Sequence, residues 1–481
     1  MRRRSLLMIV VAAAALGACP GPSRRAKPAA SVAPRAAAPG NGTSVLLITI
    51  DTLRADHLGA YGYRRPTSPR LDAFARRAMV FDQAYTYWPK TRGSFVAIHT
   101  GRLASQTGYG KSHPLLLEFN PTLAGVLAEA GYETTAVVDN PNVAGSLGYA
   151  KGFARYRETW EEKGLDSEVA RARAITEDGL ATLARAARSP KPFFLWLHYV
   201  NPHAPYEPPA PYDRLFLDAQ AKTGRILPAV EGFHGGVSRS WKEWAKPGRS
   251  LGWYVAQYDG EIAFADAEVG RVLDALAASP AAGRTLVIVT SDHGESLGEH
   301  DYYFDHGENL FDPCQRIPLI VAGPGVAAGR TDVLASTLDL VPTVLDAVKV
   351  SYPPDLSGQS LLPAARGERR EGRARLLGQN DRNLMGAWDK RFKVVATPAD
   401  AGTAWALYDR QRDPGETRDA AKAQPERMRE ERRELEILRE RVDAQATRTR
   451  RLVEGTKQVE KLTPDACERL KALGYVLEGC S

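Results

Sequence analysis

The sequence predicts an α/β fold: a large parallel or mixed sheet with helices on both faces, then a smaller antiparallel unit and a charged helical segment. Three observations carry this. Short, nearly continuous apolar or β-branched runs recur at Val45–Ile50, Thr134–Val138, Phe193–His198, Leu286–Thr290 and Leu319–Val321. Stretches of helical period lie between them, at Thr122–Ala130, Ser167–Ala187 and Ala263–Ala278. The chain has 481 residues, 43% of them apolar, enough to bury a large core. Strands covered on both faces read as unbroken apolar runs, and alternating helices supply the cover.

The chain opens on Arg2, Arg3 and Arg4, followed by an apolar run from Leu6 to Leu16. That is the pattern of a secretory signal peptide over residues 1–18, too short to span a bilayer of about 30 Å. The run ends Leu16-Gly17-Ala18-Cys19, which resembles the bacterial lipobox and makes Cys19 the expected lipidation site. Two or three acyl chains anchor stably where one does not. Residues 19–43 are Pro, Ala, Arg, Ser and Gly with nothing to pack, and read as a tether. The expected location is the bacterial cell envelope, lipid-anchored and facing the periplasm or the cell surface.

The net charge of +7 invites a nucleic-acid reading, and its distribution removes it. Seven of the 64 basic residues fall in residues 1–40, which hold no acid, so the body is formally neutral. Neither nucleic acid nor an obligate protein partner is expected. Cys314, Cys467 and Cys480 cannot all pair with one another and show no zinc-ribbon spacing, so disulfides are not expected to define the fold.

Within the body, residues 44–371 are expected to form the catalytic domain. Residues 207–250 are rich in Pro, Gly and aromatics without a period, and are expected to lie near a substrate entrance. Strand-like pieces at Phe392–Ala396 and Ala404–Tyr408 place a small antiparallel unit in 372–420. Residues 421–481 read as a charged helical extension, and the dense charge run at 424–452 as a solvated helix.

Open α/β sheets bind ligands where strands end at their carboxyl edge. Here one strand ends in Asp51-Thr52, another in Ser291-Asp292-His293-Gly294-Glu295, and a third in His198, which runs into Asn201-Pro202-His203. Taken singly, an Asp after a strand is usually a turn residue and a lone His usually structural. Three such ends together point to a metal centre. Carboxylates plus imidazole suit one divalent ion of the Zn or Mn kind, and Ca less well because it prefers oxygen donors alone.

The segment from Val45 through Asp51-Thr52-Leu53-Arg54-Ala55-Asp56-His57 to Gly59 resembles the opening of the sulfatase family, part of the alkaline phosphatase superfamily. The resemblance continues, in order, through Thr100-Gly101-Arg102, His198 to Pro208, Tyr258-Asp259-Gly260-Glu261, Ser291 to Glu295, Arg316-Ile317-Pro318, Leu407-Tyr408-Asp409 and Asp413-Pro414-Gly415-Glu416. It implies a three-layer alkaline-phosphatase-like fold and a metal-dependent hydrolase of small-molecule, glycan or lipid sulfate or phosphate esters.

The resemblance departs at the nucleophile. Family sulfatases carry Cys or Ser in a C/S-x-P-S-R segment and convert it to formylglycine; here the segment is Thr91-Arg92-Gly93-Ser94-Phe95. Thr52 stands for the usual second aspartate and His293 for the usual asparagine. This set resembles the lipoteichoic-acid synthase and phosphoethanolamine transferase branch, whose metal-bound threonine attacks phosphorus. The resemblance thus implies Asp51, Thr91, Asp292 and His293 as metal ligands, with Thr91 also the nucleophile. His203, His198 and His306 become candidates to steady the transferring group or protonate the leaving group, and Arg54, Arg92 and Asn140 candidates to bind the substrate. Two other readings stay open: a phospho-group transferase or phosphodiesterase acting on envelope lipids or glycans, and an inactive glycan-binding member.

Overall fold

The computed structural model describes residues 40–110, 114–241, 244, 248–351, 355–368, 371–400, 402–454 and 462–475. The signal peptide, Cys19 and all but the end of the tether lie outside the described residues.

The strands are β1 (Ser44–Ile50), β2 (Met79–Tyr85), β3 (Glu133–Val138), β4 (Arg155–Glu158), β5 (Phe193–Tyr199), β6 (Thr285–Thr290), β7 (Leu319–Ala322), β8 (Gly329–Ser336), β9 (Leu376–Gln379), β10 (Met385–Trp388), β11 (Phe392–Ala399) and β12 (Gly402–Asp409). The helices that matter below are α1 (Thr91–Thr100), α2 (Leu123–Glu129), α3 (Glu168–Ala186), α4 (Leu251–Ala277), α5 (Leu340–Val348), α6 (Pro425–Val453) and α7 (Pro464–Ala472).

The first eight strands form one mixed sheet in the order β8-β2-β7-β6-β1-β5-β3-β4, with β7 antiparallel to both its neighbours. Side chains alternate across a strand, so β1 feeds two cores. Leu46, Ile48 and Ile50 pack with Ile175, Ile262 and Val269 of α3 and α4. Val45 and Leu47 pack on the other face with Phe95, Leu123 and Val344 of α1, α2 and α5. These are the expected three layers.

Three strands of this sheet carry no unbroken apolar run: β4 is Arg-Tyr-Arg-Glu at one edge, and β2 and β8 lie towards the other. In β2, Asp82 and Gln83 interrupt the run, and β8 begins Gly-Arg-Thr-Asp. At these ends of the sheet polar residues still reach water. Helix α4 begins a dozen residues before its apolar period, at Ser250, whose side chain accepts a hydrogen bond from Trp253 N.

The segment expected to flank an entrance supplies an aromatic patch. Trp241 and Trp244 stack edge to face, and Trp244 packs on Tyr206, Tyr254 and Phe304. Its indole donates to the Tyr206 carbonyl.

Strands β9 to β12 form a separate antiparallel sheet in sequence order. Helix α6 lies on it, burying Leu435 and Val442 against Phe392, Val394 and Leu407. The charge run is therefore not solvated all round: Glu431 is fully buried and paired with Arg375. Among the described residues, no helix is long and apolar enough to cross a membrane. Cys314 is free and buried, while Cys467 is disulfide-bonded.

Candidate active site

Strand register assembles the site. In the order β6-β1-β5, Thr49 of β1 lies opposite Thr290 on one side and His198 on the other. Asp51 and Asp292 each follow two residues after those threonines, so both side chains leave the same edge in the same sense, one strand spacing of about 4.8 Å apart. The turn after β1 is pinned tightly. Thr52 takes a left-handed φ of 54°, its carbonyl accepts from the Tyr258 hydroxyl at 2.7 Å, and Leu53 N donates to Ser291 Oγ at 3.0 Å. A non-glycine residue held there costs on the order of 1 kcal/mol, which the surrounding bonds offset.

Asp51, Asp292 and His293 are fully buried and offer ligand atoms within 4.8 Å of one another. His293 Nε2 stands 3.3 Å from Asp292 Oδ2 and 3.7 Å from Asp51 Oδ1. Its Nδ1 faces the Gly294 carbonyl at 2.9 Å; a carbonyl only accepts, so Nδ1 carries the proton and Nε2 presents its lone pair. Asp51 Oδ1 and Asp292 Oδ2 are buried with no hydrogen-bond partner. Unpaired buried carboxylate oxygens are costly. Two of them facing an imidazole lone pair fit a divalent cation.

The electrostatics agree with that shape. Burial alone would raise Asp51, but the imidazoles of His198, His203 and His293 outweigh it and hold its carboxyl below the usual carboxylate range. Burial and the charge of Asp51 push Asp292 well up. One of two adjacent carboxylates protonates because like charges in a dry pocket repel.

Thr91 is the first residue of α1 and fully buried. Its Oγ1 lies 3.2 Å from His293 Nε2. The substituted residues beside it have packing reasons. A Cβ at Gly93 would stand 2.3 Å from Trp88 Cδ1, and Phe95 packs edge-on against His198 and tilted against Trp196.

The other expected residues divide. His203 and His306 stand together: their rings sit 5.2 Å apart, and the Nε2 atom of each faces the Tyr475 hydroxyl, which also meets Thr91 Oγ1. His203 Nδ1 donates to the Ala204 carbonyl, and His306 Nδ1 meets Glu295 Oε1 at 3.1 Å. Burial lowers both imidazoles, His306 further because His293, His203 and Lys90 crowd it. Burial also pushes Glu295 well up, with the charges of Asp305 and Asp51 adding to it.

His198 does not reach the reacting side. Its Nδ1 is bonded to Thr49 Oγ1 at 3.0 Å, which also accepts from Trp196 Nε1, and its Nε2 lies 3.7 Å behind Asp51 Oδ2. It orients a carboxylate and does not face a substrate. Asn140 has the same duty: its Nδ2 donates to Asp51 Oδ2 at 2.6 Å, and its Oδ1 accepts from Asn142 N. Arg54 is not an anion-binding residue here, because Asp56, Glu299 and the Glu295 carbonyl use its guanidinium. Arg92 is buried, with Nε bonded to Asn142 Oδ1, so it buttresses the loop that carries Asn140.

Two residues at the site carry no sequence signal. Lys90 precedes the nucleophile segment and pairs with Asp381 at 3.7 Å. Tyr475 follows a long charge run and no motif, yet its hydroxyl lies 3.3 Å from Thr91 Oγ1, 3.2 Å from His203 Nε2 and 3.1 Å from His306 Nε2.

The sulfatase family profile matches residues 43–350, and a profile for the C-terminal part of N-sulphoglucosamine sulphohydrolase matches residues 298–442. A Delta 4,5-hexuronate-2-O-sulfatase of Bacteroides thetaiotaomicron is 25% identical over 424 residues, covering 78% of this chain and 84% of that protein. An arylsulfatase of Clostridium perfringens is 26% identical over 387 residues, covering 66% and 77%. Among solved structures, the phosphonate monoester hydrolase of Agrobacterium radiobacter superposes with a TM-score of 0.68 at 20% identity, covering 83% of this chain and 96% of that one.

Proposed function

The chain belongs to the sulfatase family, and on that premise we propose that it hydrolyses a sulfate or phosphate ester by in-line attack of the Thr91 hydroxyl. The observation that carries this reading is the place of Thr91 Oγ1, 3.2 Å from the Nε2 of His293, a member of the Asp51–Asp292–His293 cluster. A divalent cation held by Asp51, Asp292, His293 and Thr91 supplies positive charge that lowers the pKa of the threonine hydroxyl and offsets charge on the reacting group. The mixed imidazole and carboxylate donors favour Zn or Mn over Ca.

The chain's own residues do the rest. His198 and Asn140 hold Asp51 in place, and the Gly294 carbonyl fixes the His293 tautomer. Thr91 Oγ1, its proton lost to solvent, bonds to sulfur or phosphorus as the bond to the leaving oxygen breaks. His306 and His203 face the oxygen that leaves, and the bound anion favours their protonated forms, so one of them gives it a proton. Water then cleaves the covalent ester on Thr91 and regenerates the hydroxyl. Lys90, one residue before the nucleophile, adds positive charge on the approach.

A threonine cannot become formylglycine, so this route replaces the aldehyde hydrate of the family's usual chemistry. The same attack with an alcohol in place of water would make the protein a transferase or phosphodiesterase. The inactive glycan-binding reading loses its support, because Gly93 and Phe95 have packing reasons and the acid cluster is whole. The protein acts, in this reading, at the cell envelope, held through Cys19. Cys19→Ser should release it from the membrane fraction.

Intact-mass and peptide analysis after exposure to 4-nitrophenyl sulfate and 4-nitrophenyl phosphate tests the nucleophile. The expected result is a sulfo or phospho adduct on Thr91. Turnover that survives Thr91→Ala overturns the assignment.

A further inference from the structure

The mechanism above gives no task to the phenol of Tyr475, a half-buried side chain at the site. We infer that it is an internal ligand standing in the leaving-group subsite, that this subsite takes a phenolic oxygen, and that an aryl ester reacts by displacing the C-terminal segment. This rests on the hydrolase reading, whose substrate class it names.

The hydroxyl meets the three groups that the mechanism assigns to attack and protonation. It lies 3.3 Å from Thr91 Oγ1, 3.2 Å from His203 Nε2 and 3.1 Å from His306 Nε2. A hydroxyl has one proton and two lone pairs. Donating to His203, whose own proton is committed to the Ala204 carbonyl, it accepts from Thr91 and His306, and all three contacts are satisfied. That is the pattern a leaving oxygen needs, with an acid beside it and the nucleophile across from it. Oxygens in hydrogen-bond contact leave no space for a tetrahedral group between them, so phenol and substrate exclude each other.

The seat is built. Helix α7, which carries the tail, is fixed by Arg469, buried and paired with Glu168 at 2.7 Å and Asp139 at 3.5 Å, and by the buried Leu470 and Leu473. Gly474 then turns the chain with a φ of 83°, where a Cβ would stand 2.7 Å from Trp241 Nε1. Around the ring stand the imidazoles of His203 and His306, with centroids at 5.7 and 6.3 Å, and the Lys90 ammonium at 5.9 Å. A cation over a ring, together with one tilted and one edge contact with imidazoles, favours a flat aromatic group over an alkyl one.

The test compares the wild-type chain, the full chain with Tyr475→Ala, and a chain ending at Gly474 that keeps α7, all loaded with Mn. Calorimetric titration measures 4-nitrophenol and, as the alkyl comparison, cyclohexanol; hydrolysis of 4-nitrophenyl sulfate and phosphate is followed in parallel. Removing an internal competitor should tighten 4-nitrophenol and lower KM by about tenfold, leaving cyclohexanol unmoved. Phenol binding gained without hydrolysis in any variant would uphold the subsite and overturn the hydrolase reading. Hydrolysis with KM and phenol affinity equal in all three chains would overturn the internal ligand and leave the hydrolase standing. Cyclohexanol gaining as much as 4-nitrophenol would overturn the aryl preference.

Discussion

Two pairs of carboxylates in this fold, Asp312 with Glu416 and Asp51 with Asp292, settle their charge differently. Beneath the C-terminal sheet, Lys393 Nζ lies 2.7 Å from Asp312 and 2.6 Å from Glu416, and Arg410 lies 2.7 Å from Asp312. Two cations meet two anions, and the chain neutralises itself. At the carboxyl edge of the main sheet, Asp51 and Asp292 are faced by the imidazoles of His198 and His293 and by the Asn140 amide, and one oxygen of each carboxylate bonds to nothing. Burying a charge costs several kcal/mol unless something compensates it. The first cluster is complete and structural; the second is short of positive charge, as the cation site proposed for it would require. A lone carboxylate elsewhere, Glu261, settles its charge with a proton: burial and the nearby Glu168 and Glu207 push it up to about 8 despite the Asn201 amide at 2.7 Å.

Substitutions should separate these cases. The largest effect belongs to Thr91→Ala, which should cut ester hydrolysis by about a thousandfold or more while metal affinity falls far less. Lys393→Met strips the complete cluster of a cation and should cost about 3–5 kcal/mol in urea unfolding, with metal binding unchanged. Asn140→Ala frees the second oxygen of Asp51 and should weaken metal affinity about 10–100-fold with little change in melting temperature of metal-free protein. Asp292→Asn relieves the charge-poor cluster and should stabilise metal-free protein by about 1–3 kcal/mol, whereas Glu416→Gln should destabilise it. If both changes act with the same sign, the distinction between the clusters fails.

The effect read over the widest range of conditions is a pH slope. A carboxyl raised to about 8 in the native state stays protonated while the unfolded chain ionises above about 4.5, so stability falls across that window and levels above it. Glu261→Gln should remove this fall, gaining on the order of 1 kcal/mol per pH unit between pH 5 and 8 and nothing below pH 4. Thermal melts across that range check it.

Much of the site was legible because register is legible. Apolar runs ending at Ile50, Thr290 and His198 put Asp51, Asp292 and His293 on one edge, and parallel pairing makes such ends neighbours. What each polar residue does there was not legible. Arg54 reads as an anion binder until Asp56 and Glu299 are seen to hold it, and His198 as a catalyst until Thr49 and Asp51 enclose it. Strand β2 escaped because Asp82 and Gln83 break its run. Tyr475 escaped because its contacts are with residues hundreds of positions away, and no local pattern foretells which tail residue reaches a pocket.

The central claim is that the open cluster takes one divalent cation. Chelated full-length protein titrated with Mn or Zn, by calorimetry and thermal melts together, tests it most directly. The account predicts one equivalent bound with a rise in melting temperature, both lost in Asp51→Asn and unaffected by Lys393→Met. No binding in the wild type, or binding that survives Asp51→Asn, would contradict it.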